Sequence, residues 1–416
     1  MRSMTRELLI DMKGVSVDYE TASSSAFIRK SFFRAVSDFS LEVGKGETWS
    51  IVGESGSGKS TLAMAMMGLL DISEGKMSFW YSGREIDIST RRRQRARDKK
   101  FIWRHSSVVF QDPFSSLDPR MLILDIIVEP FLGHGMGSKE DAIDRAKKLL
   151  PLVGLRQEHL GYYPDQLSGG LRQRVAIARS LINEPDFVIF DEPTSSLDVS
   201  VQAQILNLIK TIRKKTNLTY IFITHNLLVA RHISENVLIM YLGSVMEKGK
   251  TSDVFSRPLH PYSKLLMSSI LLPEKNSKLN EPPTLRGASE GGRPNGCVFH
   301  NRCPEATPYC GWTSREITDM LSNELYNRIG KRVFSSETQG PLKFVVRELS
   351  GNDQAILKET LESNGSLFKS VKHEGDSFVV ELFESWTPRS VILEGGREVR
   401  CVLYDKEFPE YDKLKK

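Results

Sequence analysis

"WSIVGESGSGKST", residues Trp49 to Thr61, passes from a short apolar run through three glycines to Lys59, Ser60 and Thr61. That order reads as a strand, a tight loop and the start of a helix. Gly53, Gly58, Lys59 and Ser60 fit the pattern G-x-x-x-x-G-K followed by Ser or Thr. Glycines allow backbone N–H groups to close around phosphate oxygens, and the helix that follows adds a favourable dipole. Lys59 can then neutralise the outer phosphates while the Ser60 hydroxyl ligates Mg²⁺. Gly53, Ser55, Gly56, Ser57, Gly58, Lys59, Ser60 and Thr61 are therefore the candidate nucleotide-binding residues.

Three more segments place polar groups at strand ends. "FVIFDE" is an apolar run ending in Asp191 and Glu192, and "TYIFITH" ends in His225. Buried parallel strands read as continuous β-branched and aromatic runs, and ligands gather at their carboxyl ends. Asp191 is placed to hold Mg²⁺ through its water shell, Glu192 to polarise an attacking water as general base, and His225 to contact a terminal phosphate. "VVFQDP" brings Gln111 off a further strand, and "LSGGLRQRVAIARS" opens an amphipathic helix at Ser168, Gly169 and Gly170. This second anion-binding helix start has no Lys-Ser pair of its own, so it is expected to serve a nucleotide held by another subunit.

Composition narrows the function classes. The chain of 416 residues allows two or three domains, and 40% hydrophobic with 26% charged residues is ordinary for a globular protein. No apolar run approaches the roughly 18 residues of a membrane span. The best local candidate, Leu62 to Leu70, is far too short, so membrane work is expected of partners. No signal peptide is read, and four cysteines cannot staple so long a chain, which points to a reducing cytosol. A net charge of +5 gives little reason to expect nucleic acid. The one basic run, "RRRQRARDKK" at Arg91 to Lys100, reads as a solvated face, with anionic lipid or RNA as the sharper alternative.

Taken together, Gly53 to Thr61, Gln111, Leu167 to Arg174, Phe187 to Glu192, "SSLD" at Ser195 to Asp198 and His225 resemble the ATP-binding-cassette ATPases over roughly residues 7 to 255. The resemblance implies an α/β P-loop ATPase core at residues 1–257, with a helical subdomain at about 112–170 that docks transmembrane partners. It implies two cassettes sandwiching two ATP molecules head to tail, with Leu167, Ser168, Gly169, Gly170 and Gln173 of one acting on the nucleotide of the other. Gln111 would sense the γ-phosphate and help hold Mg²⁺ with Ser60 and Asp191. The catalytic set would be Glu192, His225, Gln111 and Lys59, and Asp198 would touch the opposing subunit. An aromatic residue stacks on adenine, for which Tyr19 is chosen over Phe27, Phe32 and Phe33. Two departures stand out: Leu171 where glutamine is common, and Asn226 where aspartate is common.

"RPLHPYSKLLMSSI", a polar linker, and "GCVFHNRCPEATPYC" then resemble the C-terminal extension of ATPase subunits of oligopeptide and dipeptide importers, on His260, Pro261, Tyr262, Gly296, Cys297, Phe299, His300, Arg302, Cys303, Pro304, Ala306 and Cys310. "FQDPFSSLDPRM" and "SLDVSVQAQILNLI" resemble the second ATPase of such a pair, which implies a different, homologous ATPase as partner. Two transmembrane permease subunits and, indirectly, an extracellular solute-binding protein complete the implied assembly at the cytoplasmic face of the membrane. The extension is expected at 258–310. By resemblance, Cys297, Cys303, Cys310 and Cys401 hold a four-iron, four-sulfur cluster, with zinc or no metal as alternatives. The usual short gap before the last cysteine is replaced by residues 311–400. There "SREITDMLSNELYNRI" and "NDQAILKETLES" have helical period, while "LKFVVREL", "DSFVVELFE" and "SVILEG" are strand-like, giving a small inserted α+β domain of unread role. Residues 401–416 would return the fourth cysteine on the strand "REVRCVL".

The expected function is an ATPase that powers import of oligopeptides or dipeptides; oligosaccharides or nickel are other cargoes of the same branch. A nucleic-acid-associated ATPase of the same superfamily is the alternative of another class. It would need long coiled coils or a second phosphate loop, and neither is present in the sequence. No nucleic acid is expected as partner.

Overall fold

The computed structural model describes residues 7–21, 31–89, 95–112, 116–271, 295–330, 335–347, 352–375 and 377–414. Residues 91–94 of the basic run, Phe27 and the linker 272–294 lie outside the described residues. The chain divides into two compact units, Met1–Pro258 and Leu259–Lys416.

The first unit holds two sheets. Strands β1 (Leu8–Thr21), β2 (Ser31–Gly44), β4 (Glu74–Tyr81) and β5 (Arg84–Asp87) form an antiparallel sheet in the order β2-β1-β4-β5. The central sheet runs β10-β9-β3-β8-β7-β6, with β3 (Thr48–Val52), β6 (Ser106–Val109), β7 (Phe187–Asp191), β8 (Thr219–Thr224) and β9 (Asn236–Tyr241) parallel, and β10 (Ser244–Lys250) antiparallel on β9. Side chains of its middle strands alternate between two cores. Ile189, Ile221 and Ile223 pack with β1, β2 and helix α1 (Lys59–Met66), while Val188, Phe190, Tyr220 and Phe222 pack with the helices of the other face. Both faces are covered, so these strands are apolar at every position rather than alternating.

Helices α3 (Ile123–Gly133) and α4 (Lys139–Val153) and the start of α5 (Gly169–Leu181) build the helical subdomain; α2 (Arg95–His105) precedes β6. Ser138 and Asp141 close a reciprocal capping box at the start of α4, and Gly154 ends it in the left-handed conformation. The helix runs through Pro151, because this residue lies in the last turn, where only one backbone hydrogen bond is forfeited. Helix α6 (Val199–Thr216) buries Ile205, Leu206, Ile209 and Ile212 along one face. Helices α7 (Leu227–Ile233) and α8 (Thr251–Ser256) complete the unit.

The second unit begins with α9 (Pro261–Leu271). Helix α10 (Ser314–Ile329) and helix α11 (Asn352–Ser363) coincide with the two helical periods of the sequence. Four strands, β11 (Ser335–Thr338), β12 (Lys343–Arg347), β13 (Phe368–Glu374) and β14 (Ser377–Leu382), form an antiparallel sheet in the order β11-β12-β14-β13. β12 and β13, joined by α11, thus flank β14, a split βαβ arrangement. Ile317, Leu321 and Leu325 with Leu357 and Leu361 cover Phe344, Val346, Phe378 and Val380. β11 and β13 are not legible in the sequence, because an exposed edge strand shows no apolar alternation: all of β11 is exposed and most of β13. The strands expected at "SVILEG" and "REVRCVL" shrink to the pairs Val391–Ile392 and Glu398–Val399, and Cys401 lies beyond the second of them. Among the described residues no helix is long and apolar enough to cross a membrane.

Candidate functional site

The loop between β3 and α1 is built by close approach. A Cβ on Gly53 would sit 2.3 Å from the Met240 carbonyl oxygen and 2.7 Å from Ser57 Oγ, so only glycine fits. Gly58, at φ 92°, caps α1 in the left-handed region. Lys59 folds back over the loop and is buried, its Nζ donating to the carbonyls of Gly53 and Glu54 at 2.8 Å each and to Ser57 Oγ at 3.3 Å. Burial lowers the Lys59 pKa, and the carboxylates of Glu192, Asp191 and Glu54 act against that shift. Ser55, Gly56 and Ser60 are exposed, Ser57 is buried, and Thr61 is half-buried. Tyr19 on β1 reaches this loop, its hydroxyl 3.3 Å from Thr61 Oγ1.

At the end of β7, Asp191 is buried and its carboxyl pKa is raised, chiefly by burial; a hydrogen bond from Ser60 works the other way. Among the described residues Asp191 Oδ1 has no hydrogen-bond partner. A buried, unpaired carboxylate oxygen beside a Ser hydroxyl fits a divalent cation, which prefers hard oxygen ligands. Glu192 follows at φ 44°, a conformation that costs an ordinary residue about 1–3 kcal/mol and that clusters at functional sites. Its N–H donates to the Ile223 carbonyl at 3.0 Å, which ties the turn to β8. His225, just past the end of β8, places Nδ1 2.9 Å from Glu192 Oε2. In the neutral ring, an Nδ1–H that donates to this carboxylate leaves Nε2 as the acceptor. Lys59, Ser60, Asp191, Glu192 and His225 thus stand around the carboxyl ends of β3, β7 and β8. Gln111 leaves β6, the next strand of the same sheet, and is exposed.

The second helix start is arranged differently. Ser168 is exposed and caps α5, accepting from the Leu171 N–H at 3.4 Å, while Leu167 is buried. A Cβ on Gly170 would lie 2.7 Å from Val201 Cγ1, which fixes α5 against α6. Gln173 is fully buried, its side chain turned into the unit rather than exposed beside Ser168. Asp198 is exposed and caps α6, accepting from the Val201 N–H at 2.9 Å and from Ser200 Oγ at 2.7 Å. These bonds hold its carboxyl below the usual range. The two departures also gain a physical reason: Leu171 packs against the helical core, and Asn226 caps α7, its Oδ1 accepting from Leu228 and Val229.

In the second unit the Cys297 N–H donates to the Cys310 carbonyl at 2.8 Å. Each sulfur also meets backbone N–H groups: Phe299 and His300 at Cys297, Glu305 at Cys303, Thr307 at Cys310 and Leu403 at Cys401. Cys401 lies close enough to the other three to feel their charge. Burial pushes all four thiols up, Cys297 and Cys303 to about 12. Among the described residues no three His, Cys, Asp or Glu side chains are arranged to hold a metal ion. Two contacts were not foreseen from the sequence. Thr307 places both its N–H and Oγ1 on Cys310 Sγ, at 3.3 and 3.2 Å. His300 bridges the Cys297 carbonyl, 2.7 Å from Nδ1, and Glu316 of α10, 3.2 Å from Nε2.

Comparison with known proteins agrees with this chemistry. Residues 36–195 match the ABC transporter family, and residues 246–310 match the oligopeptide/dipeptide transporter C-terminal region. The chain is 41% identical to the oligopeptide transport ATP-binding protein AppF of Bacillus subtilis, over 74% of this chain and 93% of the relative. It is 40% identical to the oligopeptide transport ATP-binding protein OppF of Haemophilus influenzae, over 74% of this chain and 92% of that one. Its fold matches the dimeric, post-hydrolysis ATP-binding cassette MJ0796 bound to ADP and Pi with a TM-score of 0.50 at 28% identity, covering 58% of this chain and 99% of that structure. A phosphate loop, a carboxylate pair and a histidine on one sheet edge, joined to an extension of this type, leave one assignment: the chain belongs to the ABC transporter ATPases, in the oligopeptide/dipeptide transporter branch.

Proposed function

We propose that this chain hydrolyses ATP to power an importer of oligopeptides or dipeptides. The observation that carries the reading is the convergence of Lys59, Ser60, Asp191, Glu192 and His225 on one sheet edge, in a chain whose relatives are oligopeptide transport ATP-binding proteins. Glu192 would take the proton of a water attacking the γ-phosphate in line, and His225, held through Nδ1, would present Nε2 to the reacting group. Lys59 would leave its internal carbonyl partners for phosphate oxygens, and the loop N–H groups would hold the charge that develops. Ser60 and Asp191 would hold Mg²⁺, with Gln111 beside them; the ion would neutralise charge on the phosphates. Tyr19 would stack on adenine.

Exposed Ser168, with Gly169 and Gly170, would meet the nucleotide of a second, homologous ATPase, and exposed Asp198 would touch that subunit; the dimeric state of the MJ0796 cassette supports such a pairing. Permease subunits would dock on the helical subdomain. There Ser116 to Met121, Ile126, Glu129 and Arg179 line a groove of about 660 Å³. Arg179 braces it, donating to the Ser116 carbonyl at 3.0 Å and to Glu129 at 2.7 Å. The chain would then sit peripherally on the cytoplasmic face of the membrane.

The four cysteines would hold a four-iron, four-sulfur cluster that is structural in role. Four thiols with N–H donors aimed at their sulfurs support this, since such bonds stabilise bound thiolate. One zinc ion held by the same four thiolates is the alternative.

Glu192→Gln tests the catalytic reading. The variant should bind ATP and close the dimer, yet lose turnover by about 10²–10⁴-fold. Hydrolysis within tenfold of the parent protein would remove Glu192 from that role.

A further inference from the structure

The hairpin of β9 and β10 turns through Leu242 and Gly243, because Tyr241 pairs with Ser244. Both central residues are left-handed, at φ 42° and 75°, as two-residue hairpin turns require. A leucine at such a φ is an outlier that persists only where the surroundings over-determine the turn. Leu242 is 40% exposed, so side-chain packing is not what holds it. Gly243 supplies the hold. Its N–H donates to the Ser57 carbonyl of the phosphate loop at 3.0 Å, and its carbonyl accepts from the Ser37 N–H of β2 at 2.9 Å. A Cβ on Gly243 would sit 2.4 Å from the Ala35 carbonyl oxygen, and one on Gly58 2.5 Å from the same atom. Loop, turn and β2 thus meet backbone to backbone, which leaves room only for glycine at 58 and 243. The Ser57–Gly58 peptide is planar and trans, so its C=O and N–H point in opposite directions. With the carbonyl held by Gly243, the Gly58 N–H is turned to the side away from the hairpin.

We propose that Gly243 is a positioning residue for ATP hydrolysis, which through the Ser57 carbonyl aims the Gly58 N–H at a phosphate oxygen. The inference rests on the reading of Gly53 to Thr61 as the phosphate loop. A peptide free to flip would offer the phosphates its carbonyl, replacing attraction by repulsion. The turn opposes that flip, so the donor is set before nucleotide arrives.

The test compares Gly243→Ala with Gly83→Ala in the full chain. Ser82 and Gly83 turn the hairpin of β4 and β5 with φ values of 48° and 75°, the same left-handed pair, but nothing stands within 4 Å of a Cβ added to Gly83. Both variants carry the backbone strain, and only Gly243→Ala presses on β2 and the phosphate loop. Affinity is read for Mg-ATP and for Mg-tripolyphosphate, which has phosphates but no base, with hydrolysis kinetics and urea unfolding alongside. Gly243→Ala should weaken both ligands about tenfold, the loss expected for one hydrogen bond to a charged group. KM should rise with kcat within about twofold, since the donor serves ground and transition state alike. Gly83→Ala should unfold at lower urea yet bind both ligands as the parent does. In parent protein carrying isotope-labelled glycine, the Gly58 amide resonance should shift on adding Mg-tripolyphosphate, and the Gly243 amide should stay protected from exchange. Parent-like affinities in Gly243→Ala would overturn the proposal and leave the phosphate-loop reading standing; a parent that binds neither ligand would overturn both. A loss confined to ATP, or a fall in kcat with KM unchanged, would place the effect elsewhere and also overturn it. Should Gly243→Ala fail to fold, a Gly58 amide that does not respond in the parent has the same force.

Discussion

Replacing Gly53 by alanine tests how tightly the phosphate loop is moulded to the central sheet. The added Cβ would lie 2.3 Å from the Met240 carbonyl oxygen and 2.7 Å from Ser57 Oγ, whereas ordinary contact begins near 3.4 Å. Met240 is fully buried in β9 and cannot yield, so the loop must move by about an ångström. Overpacking of this kind costs about 1–3 kcal/mol. The displaced carbonyls of Gly53 and Glu54 are the ones that hold Lys59 Nζ, so the cost falls on the conformation that binds phosphate. If all of it does, ATP affinity falls by about 5- to 150-fold, at 1.4 kcal/mol per factor of ten. Titration of a fluorescent ATP analogue, with urea unfolding run in parallel, separates loss of binding from loss of fold. Gly56→Ala is the control: its φ of 77° is strained, but nothing stands within 4 Å of the new Cβ. A Gly53→Ala protein that binds ATP within twofold of the parent and unfolds at the same urea concentration would refute the reasoning.

Asn226→Ala removes the acceptor for Leu228 and Val229 and should cost about 1 kcal/mol in urea unfolding; Asn226→Asp should restore it, and an Ala variant as stable as the parent would deny the cap. Cys401→Ser should abolish iron and sulfide bound by anaerobically purified protein, where the parent should carry about four irons per chain; a parent chain without iron would end the cluster reading. His260 is buried with its pKa pushed down to about 3 by burial and then by Lys264, and its Nδ1 accepts from the Tyr262 N–H. The fold therefore holds the neutral ring while the unfolded chain takes up a proton below 6.5, so its contribution is complete above pH 6.5 and is lost as pH falls from there towards 3. Stability should drop by about 1.4 kcal/mol per pH unit well below 6.5, and His260→Asn should flatten that slope in urea unfolding followed between pH 7 and 4.5.

Much of the candidate site is legible in the chain because its pattern is local. The phosphate loop needs glycine, lysine and serine at fixed spacing along one turn, and the buried parallel strands that carry Asp191, Glu192 and His225 announce themselves as unbroken apolar runs. The helices at Ser314–Ile329 and Asn352–Ser363 were equally plain, since each must bury one stripe at helical period. What depended on distant residues was silent. Gln173 reads as one of several polar side chains beside the signature glycines, and only packing sends it inward. The exposed edge strands β11 and β13 carry no apolar alternation, and backbone pairing alone defines them. The approach of Tyr19 to Thr61, the Arg34 fork to Asp18 and Glu74, and the placing of Cys401 near three cysteines some ninety residues earlier in the chain join segments far apart in sequence. Residue types and spacing alone mark the candidate groups. Tertiary packing decided which of them meet, because burial, register and strand pairing are properties of the whole fold.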